Sequence, residues 1–137
     1  EAERVPTQRS HGELTGWASG PIELFEGDFF AFEPELPLSL FYDRAALVAL
    51  PEAMRRPYLV KLRSVLADTA CGLLVSFESD PVRYDGPPFD VTEAELRQAA
   101  GLDFELLEQR EVLASHPRRA EQGTNALHES VWRVQAC

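Results

Sequence analysis

Residues 38–79 read LSLFYDRAALVALPEAMRRPYLVKLRSVLADTACGLLVSFES, and the change of period inside this stretch decides the fold class. Leu38, Leu40, Phe41 and Tyr42 make a short apolar run that meets charge only at Asp43 and Arg44. A run of that length fits a strand buried on both faces of a parallel sheet. The period then becomes helical. Leu59, Leu62, Val65 and Leu66 recur at three- and four-residue spacing, with Arg55, Arg56, Lys61 and Arg63 taken as the solvent side. On that reading an Arg55→Ala substitution is nearly silent. Pro57 is costly deep inside a helix, so the spacing predicts a turn at 51–54 and a long helix from about Arg55. Leu73, Leu74, Val75 and Phe77 in CGLLVSFES then return to a strand. Strand, helix and strand in that order form a parallel α/β unit.

The flanks extend this unit. Residues 1–20, EAERVPTQRSHGELTGWASG, are polar and carry glycine; they read as a loop, with the end of a helix at Glu1 to Arg4. Ile22, Leu24 and Phe25 predict a short strand ending at Gly27, and Phe29, Phe30 and Phe32 follow in a turn region. On the far side, DPVRYDGPPFDV is a long loop. Thr92 and Glu95 have the spacing of a capping box, and Gly101 stops the helix that begins there. FELLEQREVL and LHESVWRV read as strands separated by the loop HPRRAEQGT. Two strands with no helix between them predict an antiparallel edge on an otherwise mostly parallel sheet. The expected fold is therefore α/β, as one domain over residues 1–137.

Composition narrows the function. The 137 residues carry 13 basic and 23 acidic side chains, a net charge of −10, with 45% hydrophobic residues. A generalist nucleic-acid binder needs a basic footprint, which is missing overall. The longest uninterrupted apolar run, Ala45 to Leu50, is far too short to span a membrane. Cys71 and Cys137 are too few and too placed apart for a disulfide framework, so a reducing, cytoplasmic setting is expected. A chain that starts at Glu1 rather than Met is expected to be a fragment. Glycine-rich phosphate loops, CxxC pairs, HExxH and GxSxG do not occur, and His11, His116 and His128 lie far apart, so no metal site is expected.

Three local features carry chemistry. Asp28 follows the first strand in EGDFF, where an acid could accept an adenine amino hydrogen while Phe29 covers the ring; alternatively Asp28 caps a turn. Arg44 directly follows the second strand, where ligands of open α/β sheets bind; alternatively it pairs with Asp43. In DGPPFDV, Pro87 and Pro88 stiffen a loop that presents Phe89 as a pocket wall; alternatively it is an ordinary helix-entry loop.

These features, with IELFEGDFFAF, FYDRAALVALPEAMRRPYL, LLVSFESD, GPPFDV, LEQREVL and HPRRAEQGTNALHESVWRV, resemble the thiopurine S-methyltransferase family from about Gly20 onward. The resemblance implies a Rossmann-like class I fold that uses S-adenosyl-L-methionine to methylate an aromatic or heterocyclic thiol, monomeric when complete. It implies that Asp28 and Phe29 line the adenine site and that Arg44 lies between cofactor and substrate. It further implies that Arg118 is a second substrate-side arginine and that Pro87, Pro88 and Phe89 wall the acceptor pocket. No dedicated catalytic base is implied. The family's first strand, its glycine-rich loop and the strand ending in a ribose acid have no counterpart here, so the resemblance implies missing N-terminal strands. Two alternatives stand beside it: a thiol or halide methyltransferase of the same superfamily, and a non-catalytic fragment or interaction module.

Overall fold

The computed structural model describes residues 5–81 and 86–137, in two compact units that divide at Leu36. The expected helix end at Glu1 to Arg4 lies outside the described residues.

The first unit is an antiparallel sheet of β1 (Thr7–His11), β2 (Leu14–Ser19) and β3 (Ile22–Glu26), in the order β1-β2-β3. The predicted strand at Ile22 is present, but residues 7–19, expected as loop, form a hairpin. His11 pairs with Leu14 and Ser19 with Ile22, leaving two-residue turns that begin at Gly12 and Gly20, both at φ near +60°. Glycine at the first turn position with positive φ is the pattern of a tight type II′ hairpin. The strands are too polar to show a two-residue hydrophobic period, so the glycines were the legible signal. His11, Phe25 and Phe32 cluster within this unit, with ring centroids 4.9 to 5.8 Å apart.

The second unit is α/β. Its sheet has the order β4-β5-β7-β6, from β4 (Leu38–Asp43), β5 (Leu66–Asp80), β6 (Leu102–Glu111) and β7 (Ala126–Ala136). The mixed sheet with an antiparallel C-terminal edge is as expected. Its parallel part is the β4–β5 pair, while β5–β7 and β6–β7 are antiparallel. Its helices are α1 (Glu52–Val65), α2 (Glu93–Leu96) and α3 (Pro117–Glu121), with single 3₁₀ turns at Leu47–Ala49 and Leu113–Ser115, while the 3₁₀ turn at Phe29–Ala31 belongs to the first unit.

Three expectations for the helices of this unit are corrected. The first concerns α1, which starts at Glu52 and carries Pro57 inside it. Pro57 and Ala53 both face solvent, so the carbonyl that loses its helical partner stays open to water, and burial of Tyr58, Leu59, Leu62 and Val65 outweighs the loss. Next, α2 stops at Leu96: Thr92 caps it, accepting from the Glu95 amide at 3.2 Å, but the Glu95 carboxylate turns to Arg55 instead of closing a capping box. Finally, α3 forms within the segment expected as loop, with Pro117 in its first turn.

The core centres on β5. Leu74, Val75, Ser76 and Phe77 are buried in succession, which a strand shows only when both faces are covered. Trp132 on β7 donates its indole N–H to Ser76 Oγ at 2.9 Å, so the buried hydroxyl is partnered. Gly72 leaves room for Phe41, whose ring occupies the space a Cβ would need. The expectation that residues 38–44 are buried on both faces is not met. Leu40 is 72% and Tyr42 65% exposed, because β4 lies at the sheet edge with one face open among the described residues. An open apolar edge is a template for intermolecular pairing. The 137-residue chain is therefore expected to self-associate, and Leu40→Lys to shift it toward monomer in light scattering at matched concentration. An unchanged mass distribution would remove β4 as the cause.

Candidate functional site

The site begins at the end of β4. Asp43 is buried there, and its carboxylate accepts from the Ala46 amide at 2.9 Å, the Leu47 amide and the Tyr58 hydroxyl at 2.8 Å. It satisfies the first amides of the 3₁₀ turn that leaves the sheet. Burial, and then the Asp43 charge and hydrogen bond, raise the Tyr58 phenol far above its usual range, so it stays a neutral donor. Asp43 is thus committed to turn and helix rather than to Arg44. Arg44 is exposed and lines a cavity of about 320 Å³.

Among the described residues, the walls of that cavity are apolar apart from one cationic group. Ala45, Val48 and Ala49 come from the turn after β4, Phe77 from β5, and Pro87 and Pro88 from the loop beyond β5. It therefore opens at the carboxyl ends of the sheet's parallel pair, where open α/β sheets place ligands. Backbone hydrogen bonds hold the loop just after the two prolines. The Phe89 amide donates to the Val48 carbonyl at 2.6 Å and the Val91 amide to the Phe77 carbonyl at 2.8 Å. Gly86 has φ +26°, and the Phe89 ring occupies the place of its missing side chain. Two buried arginines complete the support. Arg55 pairs with Glu95 at 2.9 Å, donates to the Leu50 carbonyl at 3.0 Å and lies over the Phe89 ring at 5.6 Å. Arg119 pairs with Asp90 at 2.9 Å and also reaches Ser79 Oγ and the Pro88 carbonyl.

The structure thus brings Arg44, Pro87 and Pro88 together around one cavity. Phe89 is adjacent in sequence but faces Arg55 and is not among the lining side chains. Arg118 is exposed on α3 and does not line this cavity. Asp28 and Phe29 belong to the first unit. Asp28 Oδ1 accepts from the Phe30 amide at 2.9 Å, which makes it the cap of a turn, and Phe29 stacks with Phe32 at 6.4 Å. Among the described residues no cluster of His, Cys, Asp and Glu could hold a metal, and no helix is long and apolar enough to cross a membrane.

Arg55 and Arg119 are the site-supporting residues that sequence reasoning missed. For Arg55 a signal existed: Arg55, Tyr58, Leu59 and Leu62 follow the i, i+3, i+4, i+7 pattern of one helix face. Arg119 stands beside Arg118 in a segment with no hydrophobic period, so nothing local chose between them. Another cavity, about 400 Å³, lies between α1 and α2 beside Arg56, Leu59 and Gln98 and contains none of the candidate residues.

The family model for thiopurine S-methyltransferase matches residues 1–136. The chain belongs to the thiopurine S-methyltransferase family. Among the family's curated members, a Pseudomonas putida thiopurine S-methyltransferase is 40% identical over 129 residues, covering 92% of this chain and 60% of that protein. A Pseudomonas fluorescens thiopurine S-methyltransferase is 36% identical over 138 residues, 98% of this chain and 62% of that protein. The chain spans about three-fifths of the length of these relatives. A solved Burkholderia thailandensis 1,6-didemethyltoxoflavin-N1-methyltransferase, with 1,6-didemethyltoxoflavin and S-adenosylhomocysteine bound, aligns at 18% identity and a TM-score of 0.48, over 78% of this chain and 48% of that one.

Proposed function

We propose that this chain supplies the acceptor side of an S-adenosyl-L-methionine-dependent methyltransferase whose substrate is an aromatic or heterocyclic thiol. The observation that carries this reading is the cavity at the ends of β4 and β5, whose described lining is apolar except for the Arg44 guanidinium. A flat, sulfur-bearing ring suits such a chamber. The ring gains from burial against Val48, Phe77, Pro87 and Pro88, and the guanidinium favours the thiolate over the thiol. Aromatic thiols ionise readily, so the reading needs no protein base. The proton is lost to solvent before transfer, and Arg44 holds the resulting anion.

When bound, the cofactor supplies a methyl group already activated on a sulfonium, so the residues of this chain need to align the acceptor and exclude water. Asp28 and Phe29 fit the adenine end in kind. The bond to the Phe30 amide uses only Oδ1, and Asp28 is exposed, so its second oxygen can accept an amino hydrogen.

We read residues 1–137 as part of one methyltransferase domain that is monomeric when complete and works on small molecules rather than on nucleic acid or membranes. The net charge of −10 and the free thiols of Cys71 and Cys137 support that reading and a cytoplasmic setting. The test is a methyl-transfer assay on the whole product of the reading frame, with thiopurine, aromatic thiol, hydrosulfide and iodide as acceptors. Burial of one ring contributes about 1.5–3 kcal/mol. The aromatic thiols are therefore expected to exceed hydrosulfide and iodide in kcat/KM by roughly 10- to 100-fold. A preference for iodide or hydrosulfide would instead assign a thiol or halide methyltransferase, and transfer to none of the acceptors a non-catalytic module.

A further inference from the structure

We propose that Arg119 is a positioning residue that sets the width of the acceptor cavity from behind its walls. This rests on reading the cavity at Arg44 as the acceptor site. Arg119 does not line that cavity, yet it touches two residues that do. Its guanidinium lies 5.8 Å from the centre of the Phe77 ring and donates to the carbonyl of Pro88. The same fork reaches Ser79 Oγ near the end of β5 and Asp90 Oδ1 at 2.9 Å, just beyond the loop. One cation therefore ties the end of β5, the proline wall and α3 to a single arrangement.

Burial makes the arrangement stiff. Arg119 is 2% exposed, and the Arg119 and Asp90 side chains are 3% and 6% exposed. A charge held that deeply is stable only with its counter-charge and hydrogen bonds in place. The loop therefore cannot swing outward without stranding Arg119, and the position of Pro88 is set by a group outside the cavity. A planar guanidinium can serve Ser79, Asp90 and the Pro88 carbonyl at once. The ammonium of lysine is a compact point charge with no such fork. Arg118, one residue earlier, is exposed and makes none of these contacts.

The test is Arg119→Lys in the whole product of the reading frame, with Ser79→Ala as a milder companion that leaves the buried ion pair intact. Three quantities are compared: KM and kcat for a bulky aromatic thiol and for hydrosulfide, KM for the cofactor, and amide hydrogen exchange at Phe89 and Val91. With Arg119→Lys the KM for the bulky thiol is expected to rise about tenfold, the scale of one lost charge-assisted hydrogen bond. The kcat for hydrosulfide and the cofactor KM stay within about twofold, and Phe89 and Val91 exchange faster. Ser79→Ala moves the same quantities in the same direction by less. Equal changes for both acceptors, or a lowered melting temperature with an unchanged acceptor ratio, would make Arg119 purely structural and overturn the proposal. Should Arg119→Lys fail to fold, Ser79→Ala decides alone by the same ratio. If the unsubstituted protein methylates no thiol, the functional reading fails separately. Exchange at Phe89 and Val91 then decides the positioning claim, and rates unaltered by either substitution would refute it.

Discussion

Arg44→Ala is expected to lower kcat/KM for an aromatic thiol by roughly 30- to 100-fold in the whole product of the reading frame, while leaving the fold intact. The argument is local. Among the described residues, Arg44 is the one cationic group on the walls of its cavity, and the other lining residues are alanine, valine, phenylalanine and proline. A hydrogen bond to a charged partner contributes about 1.5–3 kcal/mol, and each 1.36 kcal/mol is about tenfold in rate. The guanidinium is also exposed, and Asp43 spends its carboxylate on Ala46, Leu47 and Tyr58. Removing Arg44 therefore breaks no buried pair, and the melting temperature should move by about 2 °C or less. Arg44→Lys should recover part of the rate, since charge is retained and the fork is lost. Kinetics of Arg44→Ala indistinguishable from those of the unsubstituted protein would end the assignment of this cavity as the acceptor site.

Arg55→Ala is expected to destabilise the chain by about 2–4 kcal/mol, somewhat less than the roughly 3–5 kcal/mol for removing one partner of a fully buried ion pair, because the Glu95 side chain is 29% exposed. Helical spacing alone had put Arg55 with Arg56, Lys61 and Arg63 in solvent and made the substitution silent. The structure places its side chain at 7% exposure, bonded to both oxygens of Glu95 and to the Leu50 carbonyl, with the Phe89 ring beneath it. Truncation leaves Glu95 without its partner, and α2 and the 86–90 loop lose their shared anchor on α1. Arg56→Ala, one residue on and exposed, should cost no more than about 0.5 kcal/mol. Denaturant melts of the two variants decide the matter, and equal midpoints would show that the Arg55 contacts contribute nothing net.

The correction at Arg55 shows where local reading ends. The positions of β3, β4, β5, β6 and β7 were legible because apolar runs bounded by charge and glycine leave little choice of element. The start of α1 was misplaced because Pro57 was weighed as a local penalty, without the burial of Tyr58, Leu59 and Leu62 that outweighs it. Arg55 lies on the packed side wherever the helix starts, because it stands three, four and seven residues before the buried Tyr58, Leu59 and Leu62. The hairpin of β1 and β2 was missed for a different reason. Its strands are polar, so only the turn glycines at 12 and 20 announced it.

Of the candidate site, Arg44, Pro87 and Pro88 could be named from sequence, because a cation directly after an apolar strand and a stiff proline pair are local patterns. Their meeting around one cavity could not. The two segments are more than 40 residues apart in the chain, and the parallel pairing of β4 with β5 is what sets their ends side by side. The same holds for Phe89, which looks like a pocket wall in DGPPF but turns to Arg55 once α1 packs nearby.

The sequence by itself determined the α/β class, the family and the types of residue available at the strand ends, since these depend on periods and motifs within a few residues. Helical spacing favours Arg55 over Arg56 for the packed face, but only the tertiary structure decided that Arg55 is buried with partners and that Arg119 rather than Arg118 is buried. Arg55 and Arg56, like Arg118 and Arg119, are chemically identical neighbours, and a burial difference between them arises only from what packs against each. Glu95 and Phe89 meet Arg55, and Ser79, Pro88 and Asp90 meet Arg119, each pairing across 29 to 40 residues of chain. An arginine is retained in a core only where such distant partners supply its counter-charge and hydrogen bonds, and no local pattern encodes that condition.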